Sequence, residues 1–194
     1  MVLKLRYISL LPILLALAAP AAYSADPLEG LARTCNNCHG DGSSAGGSMP
    51  SIGGQSESYL KNVLMQWKTG ERYSATMGRL IKGYSDEELA GLAHYFSQQP
   101  WTPVAQRLNA DLVKKGKGKA TAICAACHGA TGSEPADDET PKLNGQTAQY
   151  MEMELMKYRD ASLTMPHKAM RKIAMKLTEE DVAAISEYYA SQAK

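Results

Sequence analysis

Neither sign of charge dominates this 194-residue sequence, which has 21 lysine and arginine residues against 20 aspartate and glutamate residues. Nucleic-acid binding depends on dense positive charge that neutralises phosphates, so the balance argues against a nucleic-acid partner. No alternating apolar pattern persists long enough to predict a strand. The sequence also lacks a combination of acid, base and nucleophile that would indicate catalysis by the chain alone. It therefore indicates an all-α protein whose function does not depend on such a site.

A long apolar run is absent except near the N-terminus. Residues 8–22 are mostly apolar, follow two basic residues, contain two prolines and end at the small-residue stretch "AAYSA". This pattern is typical of a secretory signal peptide, with cleavage after Ser24 or Ala25, and predicts residues 1–25 as the signal and a periplasmic location. A membrane anchor is the alternative, but a spanning helix needs about 20 apolar residues. Without residues 1–25 the chain has 19 basic and 20 acidic side chains, and we expect no membrane span.

The sequence has only four cysteines, and none lies outside two matching motifs. These motifs are Cys35-Asn36-Asn37-Cys38-His39 and Cys124-Ala125-Ala126-Cys127-His128. C-x-x-C-H is the attachment signature of c-type haem, because both thiols form thioethers and the adjacent histidine binds the iron. The motifs therefore predict two covalently bound haem c groups. The attachment residues are Cys35, Cys38, Cys124 and Cys127, and the iron ligands are His39 and His128.

Three other interpretations of the cysteines are disfavoured. A shared zinc site is disfavoured because the two pairs lie 89 residues apart, whereas a zinc ribbon separates them by about 15 to 20. Disulfides within C-x-x-C pairs are typical of thioredoxin-like enzymes, and no βαβ pattern surrounds these pairs. Chance occurrence is disfavoured by two complete copies.

An internal repeat extends beyond the cysteines. Pro50, Gly54, Gln55 and Tyr59 recur 91 positions later, as Pro141, Gly145, Gln146 and Tyr150. "MGRLIKGYSDEEL" from Met77 corresponds to "MRKIAMKLTEEDV" from Met170, at an offset of 93. The chain therefore consists of a duplicated unit.

Each unit is predicted to contain three main helices. The first ends in the haem motif, the middle helices cover residues 56–68 and 147–159, and the last begin at Ser85 and Thr178, which start capping-box patterns. Two prolines near residue 100 disfavour a continuous helix, so we predict domains at 26–104 and 105–194. Units of this size have marginal apolar cores, and a covalently held group adds buried surface.

A second axial ligand is expected for each iron if it transfers electrons without binding small molecules. Methionine opposite histidine raises the reduction potential. The candidates are Met49, Met77, Met165, Met170 and Met175. The repeat favours Met77 and Met170, each eight residues before a helix cap, with Met165 as the main rival. His94 is predicted to be a helix-face residue and His167 part of a basic segment, residues 167–176.

Together, these motifs resemble the dihaem class I cytochromes c, the group that contains cytochrome c4 and the cytochrome subunit of flavocytochrome c sulfide dehydrogenase. The resemblance covers residues 26–194 and includes the two C-x-x-C-H sites, the P-x-[IL]-x-G-Q segments and the paired methionines. "TMGRLIKGYS", "YFSQQPWTPVAQ" and the acidic loop "SEPADDETPKLNGQ" are more similar to the sulfide dehydrogenase subunit.

The resemblance implies an all-α fold of two tandem class I cytochrome c domains around a pseudo-twofold axis. It implies that the carbonyl groups of Pro50 and Pro141 orient His39 and His128. It also implies two partners, an FAD-containing sulfide dehydrogenase flavoprotein and a small acceptor cytochrome. One alternative is a free-standing cytochrome c4-like carrier that feeds a terminal oxidase. A dihaem peroxidase is a further alternative, which the paired methionines disfavour. The basic segment is either a docking surface or a solvated helix edge.

Overall fold

The computed structural model describes residues 27–44 and 46–193, and within these ranges the regular structure is entirely helical. The first half contains α1 (Pro27–His39), α2 (Glu57–Thr69), α3 (Met77–Leu80), a 3-10 turn (Ile81–Gly83) and α4 (Asp86–Ser97). The second half contains α5 (Ala110–Ile123), α6 (Ala125–His128), α7 (Ala148–Arg159), α8 (Lys168–Ala174) and α9 (Glu179–Ala190). The predicted signal peptide, residues 1–25, lies outside the described residues. Among the residues described, no helix has the length and apolar character needed to cross a membrane.

Local side-chain chemistry sets where the main helices begin. Ser56 and Thr147 cap α2 and α7 by accepting hydrogen bonds from backbone N–H groups three residues ahead. Ser85 and Thr178 cap α4 and α9, each in a reciprocal pair with the acidic residue three positions later. These pairs satisfy amides that have no partner within a helix, so the predicted capping boxes are confirmed. The middle helices begin one residue later than predicted.

Each half of the chain buries its own apolar core. In the first, Ala32 of α1 and Leu60 of α2 pack with Leu89, Leu92 and Phe96 of α4. In the second, the core is formed by residues of α5, α7 and α9 in the same arrangement: Ala120, Met151, Val182, Ile185 and Tyr189. The predicted three-helix unit is therefore present twice, with short helices added near the methionine segments.

A helix-free segment, residues 100–109, joins the two halves. It lies against the second half, since Trp101 donates its indole N–H to the carbonyl of Asn144 at 2.9 Å. The Val104 amide donates to the carbonyl of Gly145 at 2.8 Å. We propose the domain boundary between residues 104 and 105, within this segment.

The closest helix contact in the second half depends on Gly116. A Cβ atom at this position of α5 would lie 1.9 Å from the carbonyl oxygen of Ala184 in α9. The obstructing atom belongs to the backbone, so no rotamer change relieves the clash. By contrast, a Cβ atom at Gly118, one half-turn further along α5, would meet no atom within 4 Å.

We expect Gly116→Ala to lower the free energy of unfolding by about 3 kcal/mol, because α5 and α9 must separate to admit the methyl group. Gly118→Ala is the matched control and should raise it by up to about 1 kcal/mol, since alanine has the higher helix propensity. Guanidinium unfolding of the haem-loaded protein, followed by far-UV circular dichroism, measures both. Equal effects of the two substitutions would contradict the proposed contact.

Candidate functional site

The first C-x-x-C-H motif lies at the C-terminal end of α1, where His39 is the last helical residue. Its side chain is buried, and Nδ1 lies 2.9 Å from the carbonyl oxygen of Pro50. A carbonyl oxygen can only accept a hydrogen bond, so Nδ1 carries the proton. The lone pair of Nε2 is then available to a metal ion, and the carbonyl holds the ring in one orientation.

The second motif repeats this geometry on a different local backbone. α5 ends at Ile123, and the separate short helix α6 carries Cys127 and His128. His128 is buried to the same degree as His39, and its Nδ1 lies 3.1 Å from the carbonyl oxygen of Pro141. Two different helix arrangements therefore leave the same atom, Nε2 of the motif histidine, available to a metal ion.

Burial keeps both histidines in the neutral form that binds metals. It lowers the pKa of His39 and of His128 below the usual value, while the hydrogen bond to each proline carbonyl acts in the opposite direction. A neutral imidazole with Nδ1 protonated is the form that iron requires at Nε2.

The surroundings of the four cysteines suit an uncharged product such as a thioether. Cys35 and Cys124 are half-buried, whereas Cys38 and Cys127 are exposed. Burial raises the pKa of Cys35, and it raises the pKa of Cys124 to about 11. Zinc requires thiolates, which apolar surroundings disfavour, whereas a thioether carries no charge. Across residues 27–44 and 46–193, no three histidine, cysteine or acidic side chains form a metal-binding group.

Both favoured methionines lie on short helices. Met77 begins α3 and packs against the core cluster that Cys35 also contacts. Met170 lies within α8 and packs against Tyr158, Met165 and Ala174.

The rival methionines differ in exposure. Met165 is almost fully buried in the same cluster as Met170, whereas Met175 is 54% exposed. Met49 is half-buried in the loop after the first motif. The assignment of Met77 and Met170 as iron ligands stays a prediction, with Met165 as the alternative in the second half.

One buried donor beside the first site has no protein acceptor. The indole N–H of Trp67 makes no hydrogen bond to any described residue, although Trp67 packs against the same cluster as Cys35 and Met77. Buried N–H groups without partners are rare in folded proteins, so an acceptor on a bound group is expected here. Haem carries carboxylates, and the residues present therefore fit it.

A buried ion pair joins the two halves, and no sequence pattern indicates it. Arg72, which is 5% exposed, donates to Glu154 at 2.7 Å, and Lys157 also donates to Glu154, at 2.5 Å. The Arg72 guanidinium also lies 3.4 Å from the hydroxyl oxygen of Tyr158. Gln55 and Gln146, which the repeat identified without a role, cross the same interface.

The two histidines outside the motifs do not join these sites. His94 is exposed on α4, and its Nδ1 lies 2.8 Å from a carboxylate oxygen of Glu57. His167 is exposed immediately before α8, with a left-handed backbone conformation.

Comparisons with known proteins agree with this arrangement. Residues 113–193 match the family model for cytochrome c. The chain is 34% identical to cytochrome c4 of Azotobacter vinelandii over 88% of its length and 90% of that protein. The crystal structure of reduced recombinant cytochrome c4 from Pseudomonas stutzeri superposes with a TM-score of 0.75 at 28% identity, covering 87% of this chain and 97% of that one.

Two further relatives have names that refer to sulfur compounds. The thiosulfate dehydrogenase electron acceptor of Thiomonas intermedia is 29% identical over 90% of this chain and 85% of its own length. The cytochrome subunit of sulfide dehydrogenase of Chlorobaculum tepidum is 41% identical over 68 residues, which cover 35% of this chain and 62% of that protein.

The fold and the paired C-x-x-C-H sites define a dihaem class I cytochrome c, with two tandem domains and two covalently bound haem c groups. The chain belongs to the cytochrome c4 family. Its function is electron transfer, and the predicted fold class and cofactor are confirmed.

We expect Met77→Ala and Met170→Ala each to remove about half of the weak absorption band that a methionine–iron bond gives in the oxidised protein, because each substitution deletes one thioether ligand. Met165→Leu and Met175→Leu serve as controls and should leave the band intact. Spectra of the purified oxidised proteins provide the measurement. Loss of the band in the Met165 variant, with retention in the Met170 variant, would reverse the assignment in the second domain.

Proposed function

We propose that this chain is a periplasmic electron carrier that accepts electrons one at a time from a dehydrogenase for a reduced sulfur compound. It passes them to a small acceptor cytochrome. The observation that carries the proposal is the pair of equivalent histidine sites in two domains joined by buried polar contacts. The names of the thiosulfate and sulfide dehydrogenase relatives support the choice of donor.

The protein's residues hold each redox centre and keep it closed. Cys35 and Cys38 in the first domain, with Cys124 and Cys127 in the second, form the thioether attachments. His39 and His128 would each hold one iron through Nε2, and Met77 and Met170 would each hold one through the thioether sulfur. When bound, each haem supplies a one-electron couple between ferric and ferrous iron. A soft thioether ligand would favour the ferrous state, and a histidine with a methionine at each iron would disfavour a peroxidase, which needs an open position.

Export is part of the proposal. The N-terminal sequence resembles a secretory signal peptide, and its removal after Ser24 or Ala25 would leave the two domains in the periplasm.

An FAD-containing flavoprotein that oxidises sulfide is the specific donor we favour. The support is the identity to the sulfide dehydrogenase cytochrome subunit over 68 residues. The acidic loop that resembles that subunit, residues 133–146, already makes hydrogen bonds to the first domain of this chain. Asn62 of the first domain donates to Glu139 at 3.0 Å, and the Ser56 hydroxyl donates to the carbonyl of Asp138. A flavoprotein would therefore need other surfaces as well.

A free-standing carrier that feeds a terminal oxidase is the second candidate. The identity to cytochrome c4 extends over 88% of the chain and favours it. The two candidates differ in whether the protein forms a stable complex with a flavin-containing chain.

Isolation of the native haem-loaded protein at low ionic strength separates these candidates. For the favoured donor, an FAD-containing chain should co-purify, and sulfide should reduce the haems only in its presence. Recovery of the dihaem chain without flavin, combined with rapid oxidation by a terminal oxidase, would instead support the free-standing carrier.

Three exposed lysines, two within α8 and one just after it, form a surface suited to docking. Lys168, Lys172 and Lys176 are exposed and make no ion pair among the described residues. Arg171 is engaged within the protein, because it donates to the carbonyls of Leu163 and Asp160. We propose that the three lysines attract the acidic surface of an acceptor, since charge patches steer transient electron-transfer encounters.

Replacement of Lys168, Lys172 and Lys176 by glutamate should slow electron transfer to the acceptor at least about tenfold at low ionic strength, and the effect should shrink as salt is added. Lys114→Glu on α5 is a single-charge control, at an exposed position away from this segment. Stopped-flow oxidation of the reduced protein over a range of salt concentrations measures the rates. An unchanged salt dependence in the triple variant would refute the docking role.

A further inference from the structure

Two glutamines form matching bridges across the domain interface. The side chain of Gln146 accepts a hydrogen bond from the Ser51 amide at 2.8 Å and donates one to the Ser51 carbonyl at 2.9 Å. The side chain of Gln55 accepts from the Lys142 amide at 2.9 Å and donates to the Lys142 carbonyl at 2.9 Å. Gln55 and Gln146 are repeat equivalents, as are Ser51 and Lys142. Each domain therefore forms hydrogen bonds to the equivalent backbone position of the other domain.

Each bridge ends on the peptide group that also holds a histidine. The carbonyl of Pro50 and the amide of Ser51 belong to one peptide unit, with its oxygen facing His39 and its N–H facing Gln146. The carbonyl of Pro141 and the amide of Lys142 form the equivalent unit between His128 and Gln55. A continuous path of hydrogen bonds therefore runs from each histidine through one peptide group to the opposite domain.

The surroundings hold both glutamines in place. Gln55 is 3% exposed and Gln146 is 2% exposed. The glycine before each glutamine has a left-handed backbone, with φ of 68° at Gly54 and 71° at Gly145. A Cβ atom at either glycine would lie within 3 Å of Trp101 or Pro103, in the helix-free segment 100–109 that forms the linker between the halves. The linker thus keeps each glutamine directed at its partner.

We propose that each glutamine tunes the haem of the opposite domain by supporting the proline carbonyl that orients its histidine. Gln146 acts on His39 and Gln55 acts on His128, so the two redox centres are adjusted crosswise. The inference rests on the proposed ligand roles of His39 and His128. In it, the glutamines are positioning residues, because neither needs to touch a haem.

The direction of the effect follows from polarisation along the path. A peptide group that donates its N–H to a glutamine becomes a stronger acceptor at its oxygen, because hydrogen bonds in a chain reinforce one another. A stronger bond from Nδ1 makes the imidazole more basic, which stabilises ferric iron. Loss of a glutamine should therefore raise the reduction potential of the haem in the other domain.

The test uses Gln146→Met and Gln55→Met in the full haem-loaded protein, since methionine has a similar length and makes neither hydrogen bond. Gln98→Met is the control, because Gln98 is exposed at the end of α4 and bonds only within its own helix end. Gln146→Asn is a milder second variant that retains an amide but is too short to reach Ser51. Potentiometry resolves the two haems, and proton NMR of the oxidised protein follows the Nδ1 protons of the two histidines.

We expect Gln146→Met to raise the potential of the first haem and shift the Nδ1 proton of His39, with a smaller change at the second haem. Gln55→Met should raise the potential of the second haem and shift the Nδ1 proton of His128, with a smaller change at the first haem. Gln98→Met should leave both potentials and both protons unchanged. Gln146 also accepts a hydrogen bond from Thr147 in its own domain. A purely local disturbance would therefore fall on the second haem, and that outcome would overturn the crosswise proposal.

The same spectra separate this proposal from the ligand assignment. If neither Nδ1 proton shows the large displacement caused by a paramagnetic iron, the ligand roles of His39 and His128 fail. If both show it and neither responds to the glutamine variants, only the crosswise tuning fails. Should the methionine variants not fold, Gln146→Asn and the hydrogen-exchange protection of the Ser51 amide in the unaltered protein decide the question, since an unprotected amide would refute the bridge.

Discussion

The rest of the structure depends on one interaction, the hydrogen bond from each motif histidine to a proline carbonyl. It fixes one tautomer and one orientation of the ring, while burial keeps the ring neutral. The first domain satisfies this with one continuous helix that ends at His39, whereas the second uses a separate short helix that ends at His128. The equivalence of the two sites therefore lies in the proline contact and not in the helix that carries the motif.

Buried hydrogen bonds and an ion pair join the two domains, whereas apolar packing forms each core. Each core is apolar and local to its own domain. Between the domains lie the glutamine bridges and the buried pair of Arg72 and Glu154. Such contacts depend strongly on direction, so they specify one relative orientation of the domains. An electron carrier with two centres benefits from this, because the separation of the centres controls the rate of transfer between them.

The repeat preserves the predicted iron ligands but not all of the residues around them. Trp67 of the first domain corresponds to Tyr158 of the second. Among the described residues the Trp67 N–H has no acceptor, whereas the Tyr158 hydroxyl lies beside Arg72. Different surroundings of this kind give two chemically identical groups different potentials. The duplicated unit thus supplies two centres, and the substitutions within it give the two centres different surroundings.

Much of the fold and site was predictable from the sequence because the signals act over short distances. A capping box spans four residues, a haem motif spans five, and helical periodicity emerges within a few turns, so these predictions needed no knowledge of the tertiary structure. The short helices at Met77 and Met170 were not predicted, because their periodicity is too brief to detect.

By itself, the sequence determined the helical class, the duplication, the haem attachment residues and the two candidate methionines. Only the tertiary structure decided that Gln55 and Gln146 bond to the backbone of the opposite domain and that Arg72 pairs with Glu154. These partners lie more than 80 positions apart in the chain. A repeat marks such residues as equivalent, but hydrogen bonding between them depends on how the two domains dock, and that arrangement has no local signature.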